Sequence, residues 1–123
     1  MSKAYPWIQR ERVRFRDCDA MGHVNNAVYS TYLEQARIAI LGDLGTYILA
    51  RVEIDFRAEL RSGEEVAVLS RCSRIGTKSF ELEHEIWAAD RLVAEAKSVL
   101  VGYDYRTGSS VPLSENQRRI IAA

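Results

Sequence analysis

A short polar run, residues 17–26, carries the side chains best suited to chemistry. It reads Asp-Cys-Asp-Ala-Met-Gly-His-Val-Asn-Asn and is followed directly by an apolar pattern of helical period. A helix N-terminus presents unpaired backbone N–H groups and the positive end of the helix dipole. It can therefore bind an anion or stabilise an oxygen that becomes negative during a reaction. The polar run thus predicts a site in which a carboxylate lies beside a helix start.

Each candidate in the polar run also has a purely structural interpretation. Asp17 and Asp19 could close a turn, because aspartate accepts hydrogen bonds from nearby backbone N–H groups. His23 could lock the loop instead of acting as a base, and Asn25 suits the N-cap of the following helix. A nucleophilic Cys18 is disfavoured, since strand alternation turns its side chain away from the acids.

Known motifs elsewhere do not supply a different chemistry. The polar run begins like a calcium loop, Asp-x-Asp-x-x-Gly, but Met21 occupies a ligand position and Val28 stands where a bidentate glutamate is required. The chain has no Gly-x-Ser-x-Gly elbow, P-loop lysine motif or His-Glu-x-x-His helix. No metal site is predicted.

The elements on both sides of the polar run must position it. Before it, residues 10–16 alternate between arginines and the apolar Val13 and Phe15, which predicts a strand. If the alternation continues, Asp17 and Asp19 lie on the Val13 side and point inward. After it, apolar residues at helical spacing predict a helix over 26–41, capped by Asn25 or Asn26 and ended by Gly42 or Gly45.

The rest of the chain alternates with period two. Strands are predicted over 47–56, 65–75, 79–88 and 92–103, with a short capped helix at 114–121. His84 falls on an apolar strand face and is expected to be packed there. One long helix followed by four consecutive strands predicts an α+β fold in which one antiparallel sheet of about five strands wraps around a central helix. A dimer would cover the sheet's remaining surface.

Composition narrows the class of protein. Lys+Arg and Asp+Glu each total 17, so the net charge is zero and no overall field favours nucleic acid or an acidic membrane. No apolar segment has the length of a signal peptide or a transmembrane helix. Cys18 and Cys72 lack CxxC spacing, which favours reduced thiols. We expect one cytoplasmic domain over residues 1–123, with no nucleic-acid or membrane partner.

The chain resembles the hotdog-fold acyl-CoA thioesterases of the 4-hydroxybenzoyl-CoA thioesterase-like family. Four segments carry the resemblance in order: the polar run, Tyr-x-x-Tyr-x-Glu-x-Ala-Arg at 29–37, Val-Glu-Ile-Asp-Phe at 52–56 and Ile-Gly-Thr-Lys-Ser at 75–79. The resemblance implies a homodimer or a dimer of dimers, with active sites at the subunit interface. It also implies hydrolysis of an acyl-CoA to a free acid and CoA without a metal or other cofactor.

The resemblance also assigns roles to residues. The family's catalytic carboxylate corresponds to Asp19, acting as nucleophile or general base, and its oxyanion donor to a backbone N–H at Asn26 or an adjacent residue. For Asp17 the structural interpretation is preferred. The basic and hydroxyl residues that the family uses to hold CoA correspond to Arg74, Lys78 and Ser79, which could equally form an ordinary polar hairpin turn.

Three departures from the family bear on specificity, and two other functions remain open. Ala58 stands where relatives often carry proline, and the helix-to-strand connector, which often helps to wall the acyl pocket, is short, so the length and shape of the acyl group stay open. The sequence His-Val-Asn-Asn at 23–26 also departs from that of the aryl-CoA specialists, so we favour fatty or other small acyl groups over hydroxybenzoyl. One rival interpretation is a non-catalytic hotdog dimer that binds acyl thioesters or fatty acids as a sensor or carrier. The other is an interaction module that uses the outer face of the sheet.

Overall fold

A computed structural model describes residues 4–122; residues 1–3 and 123, which the single-domain prediction includes, lie outside it. The described chain forms one antiparallel sheet and two α-helices. Its elements are β1 (Trp7–Arg12), a 3₁₀ turn (Phe15–Asp17), α1 (Asn26–Leu41), β2 (Tyr47–Phe56), β3 (Glu65–Ile75), β4 (Ser79–Ala88), β5 (Arg91–Asp104), β6 (Ser109–Ser110) and α2 (Glu115–Ile121).

Local signals delimit helix α1 as predicted. The Asn25 side chain accepts a hydrogen bond from the Ala27 N–H at 3.0 Å, so Asn25 is the N-cap. At the other end Gly42 adopts a φ of 77°, and its N–H donates to the Ile38 carbonyl oxygen at 2.7 Å. A side chain would strain this left-handed conformation, which explains why the helix ends at a glycine.

The strands form one sheet in the order β1-β3-β4-β5-β2, with the two-residue β6 paired to β5. All pairs are antiparallel. Buried residues of the sheet and of α1 form two apolar clusters, one toward each end of the sheet. The four strands predicted after the helix are confirmed, and the bounds of β3 and β4 agree with the predicted 65–75 and 79–88.

A polar network separates helix α1 from the middle of the sheet. His84 is 2% exposed, as the prediction of a packed histidine requires, and its ring nitrogens lie 2.7 Å from the Ser70 hydroxyl and 2.9 Å from the Ser98 hydroxyl. Arg37 of α1 is also buried and donates to the Ser98 hydroxyl at 3.1 Å. Burial, and then the charge of Arg37, lower the pKa of His84 to about 3.

The predicted strand over residues 10–16 is wrong in its position. β1 ends at Arg12, and the chain then turns because the Asp17 carboxylate accepts the Arg14 N–H at 2.9 Å. The turn breaks the alternation, so Phe15 is 86% exposed while Val13 and Asp17 are buried. Asp19, expected to point inward with Asp17, is exposed instead.

Strand β2 forms one edge of the sheet and exposes apolar side chains. Among residues 4–122 it pairs only with β5, and Leu49, Val52 and Phe56 lie opposite Leu100, Ser98 and Ala94, which are buried against the helix side. These three β2 side chains nevertheless remain 39–45% exposed. Among the described residues, no helix has both the length and the apolar character needed to span a membrane.

Candidate active site at the N-terminus of helix α1

A cleft of about 930 Å³ opens at the start of helix α1. We call it the α1 cleft. Its wall includes Asp19 and His23 of the polar run, Asn26 and Tyr29 of the helix, and Phe56 at the end of β2. The chain between β2 and β3, residues 57–64 (loop 57–64), and Arg91 at the start of β5 complete it. The structure therefore brings together three of the four predicted catalytic residues.

Asp19 is held in the α1 cleft by the backbone of its own loop. Its Oδ1 accepts hydrogen bonds from the N–H groups of Met21 at 2.9 Å and His23 at 3.3 Å. The Asp19 N–H in turn donates to the His23 carbonyl oxygen at 2.8 Å. Asp19 thus performs the turn-closing role that the sequence allowed, yet it lines the cleft at the same time. The two interpretations of this residue are compatible.

The Asn26 amide lies at the positive end of the α1 dipole. Asn25 binds the next two N–H groups, Ala27 through its side chain at 3.0 Å and Val28 through its carbonyl oxygen at 2.9 Å. Within residues 4–122 no acceptor is paired with the Asn26 N–H. A backbone donor beside the cleft is therefore available to a ligand oxygen. Asn25 itself is the cap and is not part of the cleft wall.

His23 faces an acid that sequence reasoning missed. Its Nε2 lies 2.9 Å from Oε2 of Glu59 in loop 57–64, and both side chains line the α1 cleft. Arg61 approaches the same carboxylate at 3.2 Å, and Arg91 donates to the Glu59 carbonyl oxygen at 2.9 Å. No spacing links Glu59 to His23, because they lie on separate loops that only folding brings together.

Asp17 forms a separate, buried structural site. Its carboxylate accepts hydrogen bonds from the Arg14 guanidinium at 3.0 Å and the Tyr32 hydroxyl at 3.2 Å, in addition to the Arg14 N–H. Burial by itself would raise the pKa of Asp17, but these hydrogen bonds and the Arg14 charge outweigh it, so the pKa lies below its usual value. Burial, followed by the charge of Asp17, raises the pKa of Tyr32.

The predicted CoA-binding residues lie at the other end of the sheet. β3 begins beside the α1 cleft at Glu65 and ends at Ile75, and its ten residue steps span about 33 Å. Arg74, Lys78 and Ser79 surround the turn at this far end, where the Lys78 ammonium lies 3.5 Å from the Ser110 hydroxyl. Within one subunit the structure does not bring them to Asp19.

No metal-binding cluster of three or more His, Cys, Asp or Glu side chains occurs among residues 4–122. The groups that the α1 cleft offers to a ligand are thus a carboxylate, a histidine–glutamate pair and a helix N-terminal amide. A carboxylate beside a donor for a developing negative charge can support acyl transfer.

Comparisons with known proteins agree with this chemistry. The protein-family model that describes the thioesterase-like superfamily matches residues 13–121 of this chain. A thioesterase from Thermus thermophilus, crystallised with coenzyme A and Zn, is 35% identical with a TM-score of 0.88, over 98% of this chain and 94% of that one. A predicted thioesterase from Bacillus stearothermophilus is 25% identical with a TM-score of 0.89, over 94% and 93% of the two chains. These matches confirm the predicted hotdog fold.

A curated plant protein is also similar. The chloroplastic acyl-acyl carrier protein thioesterase ATL3 of Arabidopsis thaliana is 27% identical over an alignment of 106 residues that covers 76% of this chain. The chain spans only 56% of the length of that relative.

Proposed function

The chain belongs to the thioesterase-like superfamily, and from this premise we propose that it is an enzyme that hydrolyses an acyl-CoA thioester to the free acid and CoA. The proposal depends on one observation: the α1 cleft is lined both by Asp19 and by Asn26, whose N–H has no acceptor within the described residues 4–122. In this proposal the thioester carbonyl oxygen binds the Asn26 N–H, and the charge that develops on it is stabilised by the helix N-terminus.

Asp19 promotes cleavage of the polarised thioester in one of two ways. As a nucleophile, its carboxylate oxygen bonds to the carbonyl carbon, the C–S bond breaks, CoA leaves as a thiolate that is then protonated, and water hydrolyses the resulting anhydride. As a general base, it removes a proton from a water molecule whose oxygen attacks the same carbon. We favour the first, because carboxylates are in general weak bases at neutral pH. Trapping of an acyl anhydride on Asp19 distinguishes them, since only the nucleophilic route forms one.

Asn25 and His23 support the site in different ways. Asn25 binds the N–H groups of Ala27 and Val28, which leaves the Asn26 amide as the donor of the first turn that faces no internal acceptor among residues 4–122. His23 holds Asp19 through two main-chain hydrogen bonds, one to its N–H and one to its carboxylate.

We also propose a homodimer, or a dimer of such dimers, formed through the β2 edge. The exposed apolar side chains of Leu49, Val52 and Phe56 and the unpaired edge of β2 support it. In an antiparallel pair of β2 strands, the start of one strand lies beside the end of the other. The partner subunit's β3–β4 turn would then approach the α1 cleft, which is how the turn carrying Arg74, Lys78 and Ser79 could hold CoA.

We further propose a substrate class and a compartment. The departure of residues 23–26 from the sequence of the aryl-CoA specialists favours fatty or other small acyl groups over hydroxybenzoyl. Cys18 and Cys72 are free thiols, which supports the cytoplasm as the compartment.

The test is thiol release from a panel of acyl-CoAs by wild type, Asp19→Asn and Asp43→Asn. Asp43 is a matched control, because its Oδ1 also accepts the N–H of the residue two positions later, Gly45, at 2.8 Å, but at the opposite end of α1. We expect Asp19→Asn to lose at least about 100-fold in kcat and Asp43→Asn to keep the wild-type rate.

Four results would change the proposal. A wild type that binds acyl-CoA without releasing thiol would favour the carrier or sensor, and one that binds no acyl ligand would favour the interaction module. Turnover of acyl-acyl carrier protein alone would reassign the substrate. Full activity of Asp19→Asn would be compatible with a thioesterase but would exclude Asp19 as its catalytic residue.

A further inference from the structure

Glu59 is a loop carboxylate that contacts the imidazole of a predicted catalytic residue, His23. It lies on loop 57–64, opposite the polar run, with its Oε2 2.9 Å from the Nε2 of His23. At this separation an unprotonated Nε2 would direct its lone pair against a carboxylate oxygen. The contact therefore requires a proton on Nε2, so a neutral His23 ring has Nδ1 as its acceptor atom.

Loop 57–64 is itself fixed by other contacts. Arg91 donates to the Glu59 carbonyl oxygen at 2.9 Å and to a Glu64 carboxylate oxygen at 3.1 Å. Glu64 also accepts the Arg61 N–H at 2.8 Å. The segment that carries Glu59 is therefore held in place opposite His23 by hydrogen bonds.

The same loop is docked to the polar run by its backbone. The Val24 N–H donates to the Leu60 carbonyl oxygen at 2.9 Å, and His23 pairs with Arg61 in an isolated β-bridge. His23 in turn exchanges main-chain hydrogen bonds with Asp19. A continuous set of contacts thus runs from Arg91 through Glu59 and His23 to the carboxylate of Asp19.

We propose that Glu59 is a positioning residue for thioester hydrolysis: its carboxylate orients the His23 imidazole and selects the Nε2–H tautomer. Nδ1 of His23 is then the acceptor for the hydrolytic water, in either route through Asp19. A carboxylate behind a functional histidine commonly acts in this way. This inference rests on the proposed function, since it assigns an orienting partner to a residue of that cleft.

The Glu59 pair is suited to a clean test. Both side chains are partly exposed, 35% for His23 and 57% for Glu59, and such pairs contribute little to stability. Glu59→Gln is therefore expected to fold. The matched control is Glu65→Gln, which removes an exposed acid whose partners are Arg10 and Arg12, outside the α1 cleft.

The kinetic experiment compares wild type, Glu59→Gln, Glu65→Gln, His23→Gln and the double variant of His23 and Glu59. We expect Glu59→Gln to lower kcat by about 10- to 100-fold, with KM for the acyl-CoA changed by less than about threefold. In the His23→Gln background the second substitution should have no further effect, because the residue it orients is gone. Additive losses, or a Glu59→Gln rate equal to that of Glu65→Gln, would overturn the proposal.

A second measurement does not depend on activity. Long-range ¹H–¹⁵N spectra of the imidazoles should show one tautomer, Nε2–H, for His23 in the wild type. Glu59→Gln should release the ring to both tautomers, since an amide can face it with either its oxygen or its nitrogen. A mixture in the wild type would refute the positioning role. A protein that shows the single tautomer but hydrolyses no thioester would instead refute the proposed function.

Discussion

The buried histidine of the core network makes a quantitative prediction about pH. His84 is 2% exposed, packed between Ser70 and Ser98, with Arg37 on the helix side. Burial and the nearby Arg37 charge lower the pKa of His84 to about 3, against an ordinary value of 6.5. The folded protein therefore keeps this ring neutral across a range of pH in which the unfolded chain protonates it.

The sign of the effect follows from the proton count. Between pH 6.5 and about 3 the unfolded state binds a proton at His84 that the folded state does not, so the free energy of unfolding falls as pH falls. From about pH 7 to about pH 5, this residue alone should remove about 2 kcal/mol. Below that, the loss approaches about 1.4 kcal/mol for each further pH unit until the folded pKa is reached.

The assay is urea unfolding of wild type and His84→Gln at about pH 7 and about pH 5, at one protein concentration because association also changes stability. The glutamine amide can still hydrogen-bond the two serine hydroxyls but cannot titrate. Contributions from carboxylates and from His23 are common to both proteins and cancel. The wild type should lose about 2 kcal/mol more than the variant, and equal losses would show that His84 titrates normally.

Four further substitutions test other parts of the structure. Asp17→Asn should cost about 1.5–3 kcal/mol near neutral pH, and the difference should shrink as the pH falls from 3.8, the ordinary aspartate value, through the lowered pKa of Asp17 in the folded protein; equal urea midpoints at neutral pH would contradict this. Ala89→Gly should raise stability by about 1 kcal/mol, since Ala89 has a φ of 54°, and a lower thermal midpoint would refute it. Asn25→Ala should cost about 1 kcal/mol through loss of the α1 cap, measured by the same unfolding curves. Val52→Glu should convert the proposed dimer to a monomer in light scattering while the exposed-site control Ile75→Glu does not; an unchanged mass would exclude the β2 edge.

Local sequence signals predicted most of the secondary structure. The Asn25 cap, the Gly42 stop and the apolar spacing between them predict α1 because each acts within a few residues of the chain. Alternation likewise predicted β3 and β4 to the residue. The same rule misplaced the first strand, since the Asp17 carboxylate turns the chain at Arg14 and a side-chain bond of this kind leaves no periodic signature.

The candidate site also combines features that local sequence predicts with features that only the folded chain produces. The polar run and the helix start are adjacent in sequence, so chain order alone is enough to place Asp19 close to Asn26. Three features of the site could not be predicted, because they depend on strands that meet only in the sheet. They are the pairing of His23 with Glu59, the contacts of Arg91 with loop 57–64, and the distance of Lys78 from the α1 cleft.

The sequence by itself therefore determined the helix, most of the strands and an acid next to a helix N-terminus, all of which arise from neighbours along the chain. Only the tertiary structure decided which of two nearly adjacent aspartates is buried and which lines the α1 cleft. Asp17 binds Arg14 and Tyr32 and is buried, and Asp19 closes its turn at the surface of the α1 cleft. The physical reason is that burial and long-range hydrogen bonding distinguish two side chains that local spacing treats alike.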